Sequence, residues 1–263
     1  MDLVLGPPDT PPPWSRRLGR AAWLDTTRQW HGLIHGNVVA GAIVWTGADR
    51  SVVMVETCGD HMTAPAMLRT ASSEIEGPLF LTLEDVDPLI DASTLRSLDF
   101  KPLERLVTVT RDLRGFRAPR QPFVPRAFSA LTLAERHALI GDVQPGDRCG
   151  SDLYDQLVAE AGRGFNLSNW AALTLDGQTV GAILPQPDLV SPTTGALALM
   201  GLLPDARGRG LGRSVHALGL HALARLGVET YVDHTESDNH PMRAIFARNG
   251  CTETATCTTW RRS

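Results

Sequence analysis

The 263-residue chain has a formal net charge of −4, from 25 Lys and Arg against 29 Asp and Glu, and 43% of its residues are hydrophobic. That hydrophobic share is enough for the cores of one large or two small domains. The charge balance gives no overall basic field, so it provides no electrostatic support for a nucleic-acid partner. The four cysteines form no Cys-x-x-Cys pair and no Cys/His cluster at zinc spacing, so neither a disulfide framework nor a metal site is expected.

The N-terminus is predicted to be an extended, proline-rich lead-in through residues 7–13. It lacks the charged start and the long apolar core of a signal peptide, and no apolar run later in the chain approaches membrane-spanning length. We therefore expect a soluble, cytoplasmic protein with no membrane partner.

Two segments that resemble each other in sequence are predicted to be β-hairpins. Residues 30–44 align with residues 170–184, and Trp, Leu, Gly, Ala and Ile coincide. Turns are predicted at Gly36-Asn37 and at Asp176-Gly177, between alternating apolar residues. The tryptophan that opens each segment is duplicated, which predicts a packing role for both.

A second pair of similar segments follows the hairpins. Residues 88–100 align with residues 239–251, and the first of these carries a helix around Thr94-Leu95. A strand then follows each segment, at residues 106–110 and 257–260. These pairings predict that the chain contains two copies of one fold.

The boundary between the copies is predicted in the linker at residues 116–122, which gives domains 1–119 and 120–263. The second copy contains two helical segments, at 132–140 and 152–160, for which no counterpart is expected in the first copy.

The stretch from Leu202 to Gly212 joins an apolar strand to an amphipathic helix. Residues 196–203 are almost wholly apolar, as in a strand covered on both faces, and Pro204 ends the ladder. A helix N-terminus has unpaired N–H groups and a partial positive charge, and Arg207 and Arg209 add to that charge. We therefore predict a cradle for a pyrophosphate at this turn.

Two common phosphate loops do not match this stretch. A Walker loop needs Lys before Ser214, where Arg213 stands, and a dinucleotide fingerprint needs a third glycine at that same arginine. The pattern that fits is Arg-x-x-Gly-x-Gly, at Arg207, Gly210 and Gly212. The alternative is a glycine-rich turn that binds no ligand.

The Arg-x-x-Gly-x-Gly pattern resembles the coenzyme A loop of the GNAT acetyltransferase superfamily. Residues 239–250 resemble the helix of that superfamily that closes over the coenzyme and begins with Asn. With its two copies, the chain is similar from about residue 20 onward to the tandem GNAT proteins, such as the mycothiol synthases. The resemblance implies an α/β fold of tandem GNAT units, each a mixed, mostly antiparallel twisted sheet flanked by helices.

The resemblance also implies the residues that contact acetyl-CoA, which would serve as co-substrate without a metal. The expected cofactor-binding residues are Leu202, Leu203, Arg207, Gly208, Arg209, Gly210, Leu211, Gly212, Asn239 and Phe246. In this family the two helices at 132–140 and 152–160 wall the acceptor pocket.

The chain departs from the family pattern at its acid and its base. Phe246 stands where the family has a tyrosine that protonates the leaving thiolate, and residues 196–203 contain no carboxylate. The candidates therefore move to the next strand. There His234 and Glu236 share one face, and Tyr231 and Asp233 share the other.

We predict His234 and Glu236 as the catalytic residues, because a histidine is a plausible proton relay near neutral pH. Tyr154, on a wall helix, is a further candidate acid. His216 and His221 are predicted to lie at the surface.

The first copy has residues 52–62 where its loop should be, with one glycine, no arginine, and the acids Glu56 and Asp60. These acids would repel a pyrophosphate, which predicts a degenerate copy and one coenzyme per chain.

The expected activity is transfer of an acetyl group from acetyl-CoA to a primary amine of a small-molecule or peptide acceptor, by direct transfer. The alternative is a non-catalytic acyl-CoA-binding or interaction protein, which the missing tyrosine and strand carboxylate would explain.

Overall fold

A computed structural model describes residues 1–6, 8–10, 12–13, 27–46, 51–58, 63–85, 90–117, 120–144, 146, 149–162, 165–189 and 191–263. Contacts between residues divide the chain into two compact units. Unit 1 comprises Met1–Leu106 and Ala255–Ser263, and unit 2 comprises Val107–Thr254. Part of the predicted proline-rich lead-in, Pro7 and Pro11, lies outside the described residues.

Unit 1 is built from six strands and two helices in the described part of the chain. They are β1 (Asp2–Leu5), β2 (Thr27–Ile34), β3 (Asn37–Thr46), β4 (Ser51–Thr57), β5 (Leu79–Glu84), β12 (Thr252–Arg262), α1 (Thr63–Glu74) and α2 (Ala92–Ser97). The strand order is β1-β2-β3-β4-β5-β12. Only β4 and β5 run parallel; the other neighbours are antiparallel.

Unit 2 is built from six strands and four helices in the described part of the chain. Its described elements are β6 (Lys101–Asp112), which enters the unit at Val107, β7 (Val124–Ala127), β8 (Ala171–Leu175), β9 (Gln178–Pro187), β10 (Thr194–Leu202), β11 (Thr230–Glu236), α3 (Leu133–Val143), α4 (Gly150–Ala161), α5 (Gly212–Arg225) and α6 (His240–Arg248). The strand order is β6-β11-β10-β9-β8-β7, and β10 and β11 run parallel. The predicted α/β class, with a mixed sheet flanked by helices, is confirmed.

Both predicted hairpins form, and their turns need positive φ angles. Asp176 and Gly177 have φ of 52° and 80°, which are the left-handed conformations of a tight hairpin turn. In the first hairpin the turn residues are His35 and Gly36, with φ of 50° and 78°. The predicted turn at Gly36-Asn37 is therefore one residue too late, and Asn37 begins β3 instead. Trp30 and Trp170 are both buried in a core, so their predicted packing role is confirmed.

Side chains next to the helix ends explain where several helices begin. The Asp91 carboxylate accepts the Thr94 N–H at 2.7 Å and starts α2. Thr132 and Glu135 form a capping box at the start of α3, in which each side chain accepts the other residue's N–H. Helices α3 and α4 pack closely at Gly150. A Cβ at this position would collide with the His137 carbonyl, so the absence of a side chain permits the close approach. None of the helices in the described ranges is both long and apolar enough to span a membrane.

The C-terminal strand β12 completes the sheet of unit 1. It pairs antiparallel with β5 from Cys257 opposite Glu84 to Arg262 opposite Leu79. The Arg262 guanidinium donates to the carbonyls of Ser72 and, at 2.9 Å, Ile75, at the end of α1. The compact units therefore divide the chain differently from the two copies read in the sequence. The boundary at 119 and 120 stays a prediction about those copies.

We predict that Trp260→Ala lowers the free energy of unfolding of unit 1 by about 3–5 kcal/mol, the usual cost of deleting a buried tryptophan. Its side chain is only 7% exposed and lies in the core of that unit. Denaturant unfolding followed by hydrogen exchange in β2 to β4 measures the effect. The exposed neighbour Arg261, changed to Ala, should cost less than about 1 kcal/mol. Equal effects of the two changes would contradict this account of β12.

Candidate functional site

Strands β10 and β11 of unit 2 start as a parallel pair and then separate. Their register contains only Thr194 opposite Thr230 and Gly195 opposite Tyr231, although both strands continue beyond these pairs through described residues. On its other edge β10 stays paired with β9 as far as Leu202 opposite Gly181. We call the opening between β10 and β11 the fork. It leaves the β11-facing edge of β10 without a strand partner.

A bulge in β10 lies beside the fork. The register with β9 shifts between Leu197 and Leu199. As a result Ala198 and Leu199 both pack against the core under α3 and α4, whereas Leu197 packs against the core under α5. Alternation along a regular strand would place neighbouring residues on opposite faces. The bulge thus changes which residues of β10 face each side of the sheet.

The turn after β10 presents a row of backbone donors. Gly208 and Gly210 have φ of +71° and +73°, which turn the chain back into α5. Within the described part of the chain, the N–H groups of residues 208–213 donate to no backbone acceptor, and the first N–H to find one is that of Ser214, which donates to Leu211 at 3.0 Å. No side chain caps the start of α5. Consecutive free N–H groups at a helix N-terminus bind anions.

The two predicted loop arginines differ in what their side chains do. The Arg207 guanidinium donates from Nε to the Leu202 carbonyl and from Nη2 to the Val143 carbonyl, both at 2.9 Å. Arg207 therefore connects the turn to the ends of β10 and α3, and its side chain is not directed to an anion. Arg209 is exposed and forms no hydrogen bond or ion pair with any described residue.

The end of α3 covers the end of β10 closely. A Cβ on Gly201 would lie 2.6 Å from Cγ1 of Val143, so only glycine fits at this position. Together with the Arg207 contact to Val143, this packing holds the predicted acceptor-side wall next to the turn.

Tyr154, the further candidate acid, is only 7% exposed and lies inside the core between α3 and α4. Its hydroxyl lies 3.5 Å from Arg136 Nη1.

Helix α6 is held against the fork strands by its first residues. The Asn239 side chain accepts the Met242 N–H and donates to the Thr235 hydroxyl, each at 3.1 Å. Ile245 packs on the start of α5, where a Cβ on Gly212 would lie 2.7 Å from its Cδ1. Gly212 thus leaves room for Ile245 where α6 packs on α5.

Phe246 is 2% exposed, and its ring lies in the core 5.2 Å from the ring of His216. This burial counts against the predicted contact between its side chain and a coenzyme.

The four candidates on β11 separate into two pairs, as alternation predicts. His234 and Glu236 are exposed. Tyr231 is fully buried against α5, and its hydroxyl donates to Asp233 Oδ2 at 2.8 Å. The same Oδ2 accepts the Leu197 N–H at 3.2 Å, across the fork. The roles of His234 and Glu236 stay predictions, while Asp233 is the carboxylate that lies between the two strands.

A buried chain of hydrogen bonds extends from Asp233 to the end of α6. The Tyr231 hydroxyl accepts from His216 Nε2 at 3.1 Å, and the Asn249 amide donates to His216 Nδ1 at 2.9 Å and to the Arg213 carbonyl at 3.0 Å. The successive donors Asn249, His216 and Tyr231 therefore point toward Asp233.

The predicted surface position of His216 is wrong, since the residue is completely buried. Its spacing could have indicated this, because His216, Leu220 and Leu223 lie four and three residues apart on the buried face of α5.

Burial shifts the pKa values of the residues in and next to this series of hydrogen bonds. It lowers the pKa of His216 to about 4, with a smaller effect from the Arg111 charge. It raises the pKa of the Tyr231 hydroxyl and of the Asp233 carboxyl, and it raises that of the Cys251 thiol to about 11. The His216 imidazole is therefore neutral at pH 7, as a ring that accepts at one nitrogen and donates at the other requires.

Unit 1 also contains a parallel pair that separates: β4 and β5 pair only at Ser51 opposite Leu79 and Val52 opposite Phe80, although both strands continue beyond these pairs. Glu56 lies on β4, half-buried, and the second predicted acid, Asp60, lies outside the described residues. No group of three or more metal-binding side chains occurs among the residues that the structure describes.

The fork and the helix N-terminus with free N–H groups lie in one segment of unit 2 that matches a known family. Residues 141–251 match the acetyltransferase (GNAT) family, and this segment covers the fork, the turn and α6. Unit 2 thus carries a GNAT acetyltransferase domain, and the resemblance read from the sequence is confirmed.

The curated relatives are mycothiol acetyltransferases, and they match over part of their length. The protein from Geodermatophilus obscurus is 34% identical over 100 residues, which is 38% of this chain and 32% of the relative. The one from Mycobacteroides abscessus is 42% identical over 62 residues, or 24% of this chain and 21% of the relative. The matched region thus spans about a third or less of these relatives.

Solved structures match nearly the whole chain and show its fold. A GCN5-related N-acetyltransferase from Sphaerobacter thermophilus has a TM-score of 0.65 at 16% identity, and the match covers 89% of this chain and 80% of the other. A tandem GNAT protein from the clavulanic acid biosynthesis pathway has a TM-score of 0.65 at 17% identity, with 90% and 83% covered. The tandem GNAT fold predicted from the sequence is therefore confirmed.

We predict that unit 2 loses stability in acid through His216. The folded pKa of about 4 lies below the ordinary value of 6.5, so the unfolded state binds the proton more readily. The contribution of His216 is complete above pH 6.5 and falls by about 3 kcal/mol as the pH drops to 4. Asp233 acts in the opposite direction, since its pKa is raised.

The measurement is the difference in unfolding free energy between the wild type and His216→Gln across this pH range. That comparison cancels the contribution of Asp233. A flat difference for His216→Gln would show that burial does not lower the pKa of this imidazole.

We predict that Arg207→Ala lowers the unfolding free energy of unit 2 by about 1–2 kcal/mol, because two carbonyls lose a charged donor. Arg209→Ala should change it by less than about 0.5 kcal/mol. Urea denaturation of the two variants measures both values. Equal unfolding free energies of the two variants would contradict the structural role of Arg207 and would favour the original prediction that its side chain binds the anion.

Proposed function

We propose that this protein is an acetyl-CoA-dependent N-acetyltransferase that transfers the acetyl group to a primary amine. The observation that carries the proposal is the row of N–H groups at residues 208–213, which lies directly after the open edge of β10. A diphosphate needs several donors and positive charge in one place, and this turn supplies the donors with Arg209 beside them. The GNAT domain supplies the acetyl-transfer chemistry.

The open edge of β10 suits the amide-containing arm of the coenzyme. An unpaired strand edge offers backbone N–H and C=O groups to an extended ligand, as in strand addition. The predicted contacts at Leu202 and Leu203 lie where this edge ends, next to the turn. The Leu203 N–H already donates to the Val180 carbonyl at 2.8 Å, so we assign the arm to groups that precede it.

The acceptor is proposed to be a small-molecule amine. The matched relatives are named as mycothiol acetyltransferases, so a mycothiol-related amine is the first acceptor to test. The acceptor would approach the face of β11 that carries His234 and Glu236, opposite the face that Tyr231 buries against α5. A cytoplasmic location belongs to this proposal, because acetyl-CoA is made and used there.

The reaction needs few groups from the protein. An ammonium acceptor first gives a proton to a base, for which we retain His234 or Glu236. The free amine forms a C–N bond with the thioester carbonyl carbon, the C–S bond breaks, the nitrogen gives up its second proton as it becomes an amide, and the thiolate takes up one proton. We assign stabilisation of the intermediate oxyanion to backbone N–H groups of the β10 edge. Because Phe246 has no hydroxyl and is buried, the thiolate receives its proton from the amine nitrogen, from solvent or from another residue.

We predict one acetyl-CoA per chain, bound through the turn after β10. The test is calorimetric titration of the intact protein with acetyl-CoA, for the wild type, Gly210→Asn and Gly210→Asp. Both side chains have nearly the same shape and tolerate the positive φ of Gly210, +73°, to a similar degree. Their difference therefore isolates the added charge, and Gly210→Asp should bind about tenfold or more weakly than Gly210→Asn. Two equivalent sites, or equal affinities of the two variants, would contradict the proposal.

The competing function is a non-catalytic acyl-CoA-binding protein, which the buried Phe246 favours. Release of free coenzyme A thiol from acetyl-CoA distinguishes the two functions. Turnover with any member of a panel of amino sugars, polyamines, amino acids and mycothiol-related amines supports the enzyme. Tight binding without release across the whole panel supports the binding protein.

A further inference from the structure

The fork begins where a side chain takes the place of a backbone acceptor. Gly195 opposite Tyr231 is the last parallel pair. In a parallel ladder alternate residues point their N–H groups to the same neighbour, so Leu197 is the next donor of β10 toward β11. Its N–H donates instead to Oδ2 of Asp233, at 3.2 Å. The two strands separate at this contact.

The Asp233 carboxylate is held in place from several sides. Oδ2 also accepts the Tyr231 hydroxyl, and Oδ1 accepts the His234 N–H, both at 2.8 Å. Tyr231 is fixed in turn by His216, which accepts from Asn249. A carboxylate with three donors, at the end of a buried chain, has little freedom to turn away from Leu197.

The bulge on the opposite edge of β10 begins at the same residue. The register with β9 shifts between Leu197 and Leu199. Because a bulge bends the strand that contains it, it lets β10 turn away from β11 without breaking its pairing with β9. Asp233 on one edge and the bulge on the other therefore act at one point of the strand.

We propose that the Asp233 carboxylate is a wedge that keeps β10 and β11 apart and so holds the fork open. Asp233 is then a positioning residue: it acts through the opened strand edge and not on the reacting atoms. The tyrosine, histidine and asparagine of the buried chain keep the wedge in position. The effect on coenzyme binding rests on the proposed function, whereas the effect on the strands does not.

The test compares Asp233→Val with Asp233→Asn in the full-length protein. Valine cannot accept the Leu197 N–H and favours a regular strand, so a carbonyl of β11 should take this N–H and the ladder should lengthen. Asparagine keeps an acceptor oxygen in the position of Oδ2. The first measurement is amide hydrogen exchange of residues 197–202 without coenzyme. Exchange there should slow in the valine variant and stay near the wild-type rate in the asparagine variant.

The second measurement is the acetyl-CoA affinity of the same proteins, with their unfolding free energy as reference. Asp233→Val should bind about tenfold or more weakly than the wild type under conditions in which both proteins are fully folded, although the Tyr231 hydroxyl loses its acceptor. Asp233→Asn should stay within about threefold of the wild type. If Asp233→Val fails to fold, Asp233→Thr, of the same shape, replaces it and should show the same directions with smaller changes.

Unchanged exchange and unchanged affinity in Asp233→Val would overturn the wedge. Loss of affinity in proportion to loss of stability would also overturn it, since that is the result of a purely structural role. A wild-type protein that fails to bind acetyl-CoA would contradict the proposed function, and the exchange measurement would still decide whether Asp233 separates the strands.

Discussion

The site of this protein depends on one hydrogen bond that leaves the backbone ladder, from the Leu197 N–H to the Asp233 carboxylate. Two parallel strands in a sheet normally satisfy each other's backbone groups along their whole shared length. Here the shared length ends after Gly195 and Tyr231. The edge of β10 that follows needs another partner, and a ligand with backbone-like amides can supply it. The groups offered to the ligand are thus backbone groups of β10 itself, and no additional loop or helix is needed to provide them.

The turn, the end of β10 and the end of α3 are connected through Arg207. Its guanidinium binds the last carbonyls of both elements, and Val143 packs on Gly201 at the same place. The proposed anion site is consequently made of backbone donors, and Arg207 contacts the backbone at the ends of β10 and α3, next to the segment that presents them. A charged residue in a binding motif can therefore act through geometry more than through its charge. The donors belong to the turn, and the proposed acceptor wall is attached to it.

The local patterns predict most of the elements of this fold. The hairpins, the capped helices and the strand-turn-helix around Gly210 each depend on neighbours in sequence, so turn residues and apolar spacing reveal them. His216 and the hydrogen bond from Asp233 to Leu197 depend on residues far apart in the chain, and no spacing rule brings them together. The bulge at Leu197 has the same origin, because apolar residues on both faces hide a change of alternation. The roles of His234 and Glu236 depend on where the acceptor binds, and the spacing of residues in the sequence does not determine that position.

The division of the chain into copies and its division into compact units have different meanings. The copies are read from similar sequences, whereas the units are defined by contacts, and β12 belongs to unit 1 from Ala255 onward. Unit 2 in turn includes residues 107–119, and Val107, Val109 and Leu113 pack in the core under α5 with Tyr231 and Phe246. A fragment that begins at residue 120 would leave that core exposed, and it would keep a C-terminal strand whose partner β5 is absent. Because Tyr231 in that core also positions Asp233, the fork should be studied in the full-length chain, where its support is complete.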